Sequence, residues 1–361
     1  MQRSRWLLLL TSVIGTLFVG TITSPNSANA GAASGGYHVG VVRCTFLDPT
    51  RSVLNYSTAP PTVLTRGRSL VTEIRYPTVG SASSSQEVAG APPAIRVGGF
   101  PMIVFAHGYN VTPDTYAALL DSWVARGFVV AAPFFPDENS AAVALQHYAN
   151  TERDLLNEPA DLAFVTRQIV QDSTTMTQSC PMVNGLIDPT ALALAGHSDG
   201  GEAVAMLSNS LGQDPQGAAF PSLGAGLAYK AVIVMSGAED GGGLYRASAK
   251  RPDLLVVQSA IDTCNPAVQS LRLYRDIGQN NKWFLELLHA HHLPPYDGAD
   301  IAAFTVVSGV TVRFLQRALE PVASTNFVAF ANSQPILGRL IHAGWGPTIL
   351  PLKTPPHCGF N

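Results

Sequence analysis

Ala191-Leu192-Ala193-Leu194-Ala195-Gly196-His197-Ser198-Asp199-Gly200-Gly201 is the stretch on which the fold turns. Its first five residues are a short, continuous apolar run, as a strand buried on both faces requires. Residues 196–200 then spell G-x-S-x-G, and the pattern from Glu202 to Leu211 is helical. Strand, tight turn and helix in that order place Ser198 on a nucleophile elbow. There the hydroxyl is lifted above the sheet edge, close to a helix N-terminus that favours developing negative charge. An ordinary glycine-rich turn would account for the five residues but not for their flanks.

Outward from the elbow, further apolar runs fall at 102–106, 128–132, 231–235 and 254–257. They alternate with helical spacing over 113–126, closed by Gly127, and over 154–171. Buried strands alternating with helices predict a mostly parallel sheet covered on both faces, an α/β fold. Two further strands are expected at 37–42 and 69–76, ahead of the alternating part.

A serine needs a base, and the base needs an acid to orient it. On an elbow of this kind the chain order is Ser, then Asp or Glu, then His. Asp262 follows the run at 254–257 and is the expected acid; Asp240, one strand earlier, is the alternative. A strand-like stretch at 282–288 leads into His289-Ala290-His291-His292-Leu293-Pro294-Pro295-Tyr296, from which His292 is chosen over His289 and His291. The oxyanion hole needs two backbone N–H groups. Asp199, after the nucleophile, supplies one, and Tyr109, in the Ala106-His107-Gly108-Tyr109-Asn110 loop, supplies the other. A metal cluster of these histidines with Asp297 lacks known ligand spacing, so neither metal nor cofactor is expected.

Composition narrows the class. Of 361 residues only 13% are charged, 22 Lys+Arg against 25 Asp+Glu, which leaves no basic face for nucleic acid. Arg3 and Arg5 precede an apolar run at 6–20, and Ala28-Asn29-Ala30 closes the segment as a small-x-small site. Residues 1–30 therefore read as a signal peptide, too short in its apolar part for the ~20 residues of a membrane span. The mature chain is expected to be secreted or periplasmic, without a stable membrane span. It reads as one domain over 31–361, with a core at about 66–320 and an irregular extension at 322–361. Four cysteines allow three pairings into two disulfides, of which Cys264–Cys358 is preferred because it would tie the extension to the acid's loop. Residues 213–229 lack an amphipathic helix for a lid, so an open cleft for short to medium acyl esters is expected.

The His-Gly-Tyr loop at 107–109, the GHSDGG elbow at 196–201, Ile261-Asp262-Thr263 and His292-Leu293-Pro294-Pro295-Tyr296 together resemble exported bacterial α/β-hydrolases. The branch is that of dienelactone hydrolases, platelet-activating-factor acetylhydrolases and cutinase-like polyester hydrolases. Arg75-Tyr76-Pro77 and Asn157-Glu158-Pro159-Ala160-Asp161 resemble two further signatures of it, and the likeness runs from about Ser69 to Leu315. It implies an α/β-hydrolase fold and a serine carboxylic ester hydrolase working through an acyl-enzyme on a small-molecule or polymeric ester. Dienelactone hydrolases carry cysteine where Ser198 stands. Cutinase-like enzymes carry an apolar residue at Asp199 and an aromatic one after the strand ending Met235-Ser236-Gly237. Tyr109 matches the aromatic that they place beside the oxyanion hole. An acyltransferase or thioesterase on the same triad, or a hydrolase-fold binding protein without chemistry, are the alternatives.

Overall fold

A computed structural model describes residues 36–79, 87–146, 154–175, 179–209, 223–237, 251–320, 326–334 and 338–342. The chain first lays down a long antiparallel hairpin, β1 (His38–Asn55) and β2 (Thr62–Thr78), with a short β3 (Val88–Ala89) beside β1. The alternating part follows: β4 (Phe100–Ala106), α1 (Ala117–Val124), β5 (Val129–Pro133), α2 (Ser140–Gln146), α3 (Glu158–Thr175), β6 (Ile187–His197) and α4 (Asp199–Asn209). Then come β7 (Tyr229–Met235), β8 (Asp253–Ser259), α5 (Ala267–Asp276), β9 (Lys282–Leu287), α6 (Pro294–Asp297), α7 (Ile301–Leu319), α8 (Phe327–Asn332) and β10 (Gly338–His342). They form a ten-stranded sheet in the order β10-β9-β8-β7-β6-β4-β5-β2-β1-β3. Neighbours from β5 across to β9 are parallel, while β2 and β10 join antiparallel. This is the α/β-hydrolase fold that the sequence predicts.

The apolar runs are continuous because each strand feeds two cores with alternate side chains. Met102, Val104, Leu192, Leu194, Leu254, Val256 and Phe284 pack with Leu162 and Ile169 of α3, Val204 of α4 and Leu271 of α5. Ile103, Phe105, Ala193, Ala195, Leu255, Val257 and Leu285 pack on the other face with Trp123 of α1 and Val306, Val310 and Phe314 of α7. The Trp123 indole N–H donates to Thr311 Oγ1 at 2.9 Å, tying α1 to α7.

Two expectations change. The first two strands are far longer than 37–42 and 69–76, because the hairpin continues past the core and is anchored at Arg68, buried between Asp154 and Asp161. The region expected to be irregular, 322–361, contains α8 and β10. The Asn326 side chain caps α8 by accepting from the Ala329 N–H at 2.9 Å, and Phe327 packs edge-on against Trp283 and Phe314. β10 pairs with β9 from Gly338–Leu287 to His342–Trp283, covering what would otherwise be an open sheet edge. Residues 343–361, the leader at 1–30 and residues 213–222 of the expected lidless segment lie outside the described residues.

The chain leaves β4 for β5 on one side and returns through α3 to β6 on the other. Strand order therefore reverses at β4, and the crevice at the C-terminal ends of β4 and β6 is where such sheets bind ligands.

Candidate active site

Ser198 sits between β6 and α4 with φ 55°. Its N–H donates to Met235 O at 3.0 Å and its carbonyl accepts from the Glu202 N–H at 3.0 Å, so a backbone geometry that L-residues avoid is held from both sides. The motif glycines are needed for close approach: a Cβ on Gly200 would run into the carbonyls of Ala106 and His107, and one on Gly108 would lie 2.9 Å from Ser198 Cβ. Asn110 (φ 56°) and Ser236 (φ 47°) are the other non-glycine residues with positive φ among those described. All three lie where β4, β6 and β7 end, so the strained backbone gathers at one crevice.

Gly108, Tyr109, Val111, Tyr116, His197, Ser198, His292 and Leu293 line one cleft there. Asp262 and His292 come together in the loops after β8 and β9, with Nδ1 of His292 2.8 Å from Asp262 Oδ2. A carboxylate can only accept, so Nδ1 carries the proton and Nε2 is the nitrogen left with a lone pair. Asp262 Oδ1 accepts the backbone N–H groups of Cys264 (2.8 Å) and Asn265 (2.9 Å), and Gln258 Nε2 donates to Oδ2 at 3.2 Å. With both oxygens engaged, the buried carboxylate is held facing the imidazole. His289 and His291 are exposed. Asp240, the alternative acid, lies outside the described residues.

The amides flanking Tyr109 are committed elsewhere: Gly108 N–H donates to Tyr116 Oη at 3.3 Å, and Asn110 N–H to Glu138 O at 2.8 Å. Asp199 opens α4 next to the nucleophile. Tyr109 lines the cleft, and Asp199 follows Ser198 in the chain.

Asp262, Cys264 and His292 could offer three clustered ligand atoms to a metal, but Cys264 is disulfide-bonded and has no thiolate to give. Its expected partner, Cys358, lies outside the described residues. The other bridge, Cys44–Cys180, joins β1 to the segment before β6 with Cα atoms 5.7 Å apart.

Sequence reading overlooks several supporting groups. His107 is fully buried: its Nδ1 donates to Gly108 O at 2.8 Å and its Nε2 accepts the Phe135 N–H at 3.1 Å. Burial lowers its pKa to about 4, so it stays neutral. His197 and Tyr116 bond to each other beneath the cleft at 2.8 Å. The Asn265 amide donates to Ser236 O at 2.6 Å. His107 and His197 carry a signal as residues inside the quoted motifs; Tyr116 reads as an ordinary apolar position of a helix. Glu158 is fully buried with neither carboxylate oxygen hydrogen-bonded among the described residues, and burial, with Glu138 and Asp199 nearby, holds its pKa well above the usual range.

A sequence model of the chlorophyllase family matches residues 60–259. That span contains the Tyr109 loop and the Ser198 elbow and stops before Asp262 and His292. No curated protein matches the sequence. Among solved structures, a ferulic acid esterase from Streptomyces cinnamoneus superposes with a TM-score of 0.60 at 16% identity, over 87% of this chain and 98% of that one. At that identity the likeness speaks for the fold.

Proposed function

The chain belongs to the chlorophyllase family and is a carboxylic ester hydrolase; on that premise we propose that it works through an acyl-enzyme on Ser198, with His292 as base and Asp262 as orienting acid. The observation that carries this reading is the 2.8 Å Asp262–His292 contact, made beside a cleft that Ser198 and His292 share. His292 Nε2 takes the hydroxyl proton as Ser198 Oγ adds to the ester carbonyl. The resulting oxyanion is held by the Tyr109 and Asp199 amides. Collapse breaks the C–O bond, the imidazolium returns its proton to the leaving alcohol, and water repeats the sequence to release the acid. Asp262 keeps the imidazole in one tautomer and stabilises the cation formed on it.

We take residues 1–30 to be removed on export and residues 31–361 to act as one domain outside the cytoplasm. The Cys44–Cys180 bridge supports an oxidising compartment. Small-molecule or polymeric esters with short to medium acyl chains are the proposed substrates. Purified protein assayed on p-nitrophenyl esters of increasing acyl length, methyl ferulate and chlorophyll tests this. Turnover is expected to peak at short to medium chains and to fall about 10³-fold or more in a folded Ser198→Ala variant. Turnover of that variant near the unsubstituted rate would refute the acyl-enzyme.

A further inference from the structure

We propose that His197 is a positioning residue for ester hydrolysis, fixing the backbone of His292 and, through Tyr116, the loop that carries Tyr109. The proposal rests on the triad reading above and adds a device to it. His197 Nε2 lies 3.0 Å from the main-chain carbonyl of His292. A carbonyl only accepts, so Nε2 bears the proton and Nδ1 is an acceptor. Tyr116 Oη, 2.8 Å from Nδ1, must then donate to it, and the same oxygen accepts the Gly108 N–H at 3.3 Å. One assignment of protons satisfies every link: Gly108 N–H to Tyr116 O–H to His197 Nδ1, and His197 Nε2–H to His292 O.

The ring is walled in as well as bonded. Its centroid lies 4.5 Å from that of His292, 4.6 Å from Tyr296 and 5.5 Å from Tyr116. His197 is buried and immediately precedes Ser198, so nucleophile, base and oxyanion loop are all referenced to one point in the chain. The arrangement works only with a neutral His197. Burial, reinforced by neighbouring His292, holds its pKa well below that of an ordinary histidine, so it does not compete for the proton that His292 takes up. The relay also accounts for a tyrosine hydroxyl on the otherwise apolar face of the segment at 113–124.

The test is a set of variants read for kcat, KM and melting temperature together. His197→Phe keeps a ring and loses both hydrogen bonds; kcat is expected to fall about 10- to 100-fold, with KM changed less than about threefold, since a misplacement near 1 Å can cost on the order of 10². Tyr116→Phe should lose kcat in the same way, and the double variant should lose little more than the worse single, because both break one chain. His197→Gln, which can donate and accept at once, should recover most of the loss. A residue that only stabilises the fold would lower the melting temperature and leave kcat of the folded protein alone. Unsubstituted kcat in folded His197→Phe, additive losses, or no recovery in His197→Gln would each overturn the relay. If His197→Phe does not fold, Tyr116→Phe decides: unchanged kcat overturns the proposal. Ser198→Ala in the same assay separates this from its premise, since activity surviving there sinks the triad reading, whereas its loss beside an unimpaired His197→Phe sinks only the relay.

Discussion

Asp262 and Asp161 are both buried carboxylates with a basic side chain 2.8 Å away, yet one partner is an imidazole, a side chain that can gain or lose a proton, and the other a guanidinium that stays charged. Asp161 faces Arg68, whose guanidinium also binds Asp154, donating to its Oδ1 at 3.1 Å. Burial alone would weaken the Arg68 charge, but the Asp161 and Asp154 carboxylates outweigh it and fix the proton. Arg51, 2.6 Å from Asp161, and Asn157, which donates to Asp154 at 2.8 Å, complete a cluster that clamps the β1–β2 hairpin to the start of α3. Nothing in it opens on the cleft. Asp262 instead holds a histidine that lines the same cleft as Ser198. A permanent charge suits a clamp, and a switchable one suits catalysis.

Neutralising the acid of the Asp262–His292 pair should give the largest effect. Asp262→Asn keeps the shape but offers an amide N–H or the wrong tautomer to His292, and kcat should fall by about 10⁴-fold while the melting temperature moves little. Ester assays and calorimetry on one preparation check this. The Asp161–Arg68 pair should behave in reverse. Arg68→Met removes the buried guanidinium that two buried carboxylates share and should cost about 3–5 kcal/mol of stability. Urea unfolding would measure that loss, and kcat per folded molecule should stay within a few-fold. A large kcat loss in a folded, stable Arg68→Met protein would break the division.

His107 extends the comparison to a buried group that carries no charge. Its folded pKa of about 4 lies below the ordinary 6.5, so between those values the unfolded chain binds a proton that the folded one does not. Stability should fall as pH drops from 6.5 towards 4, by about 1.4 kcal/mol per unit at most from this residue. Urea midpoints at several pH values should show a shallower decline in His107→Gln; parallel declines would contradict the assignment.

The two regions also differ in how far the sequence reveals them. The elbow was readable because a strand, two glycines and a serine must be contiguous for steric reasons. Asp262 and His292 were readable because each follows a buried strand in a fixed order. The Arg68 clamp draws on β1, β2 and the start of α3, and a lone arginine in a strand pattern carries no mark of the carboxylates it will meet. Tyr116 is hidden for a related reason: its ring packs in the core, and only its hydroxyl bonds to His197 and Gly108. The edge strand β10 was missed because five residues after a short helix carry too little periodicity to stand apart from a loop.

The central claim is that Ser198, activated by His292, is the nucleophile, and covalent capture tests it most directly. The full chain treated with a fluorophosphonate and mapped by mass spectrometry should carry one adduct, on the peptide containing Ser198, with activity lost in proportion to labelling. Labelling should fail in a folded His292→Ala variant and persist in His291→Ala. An adduct on another residue, or full activity in protein already labelled at Ser198, would contradict the account.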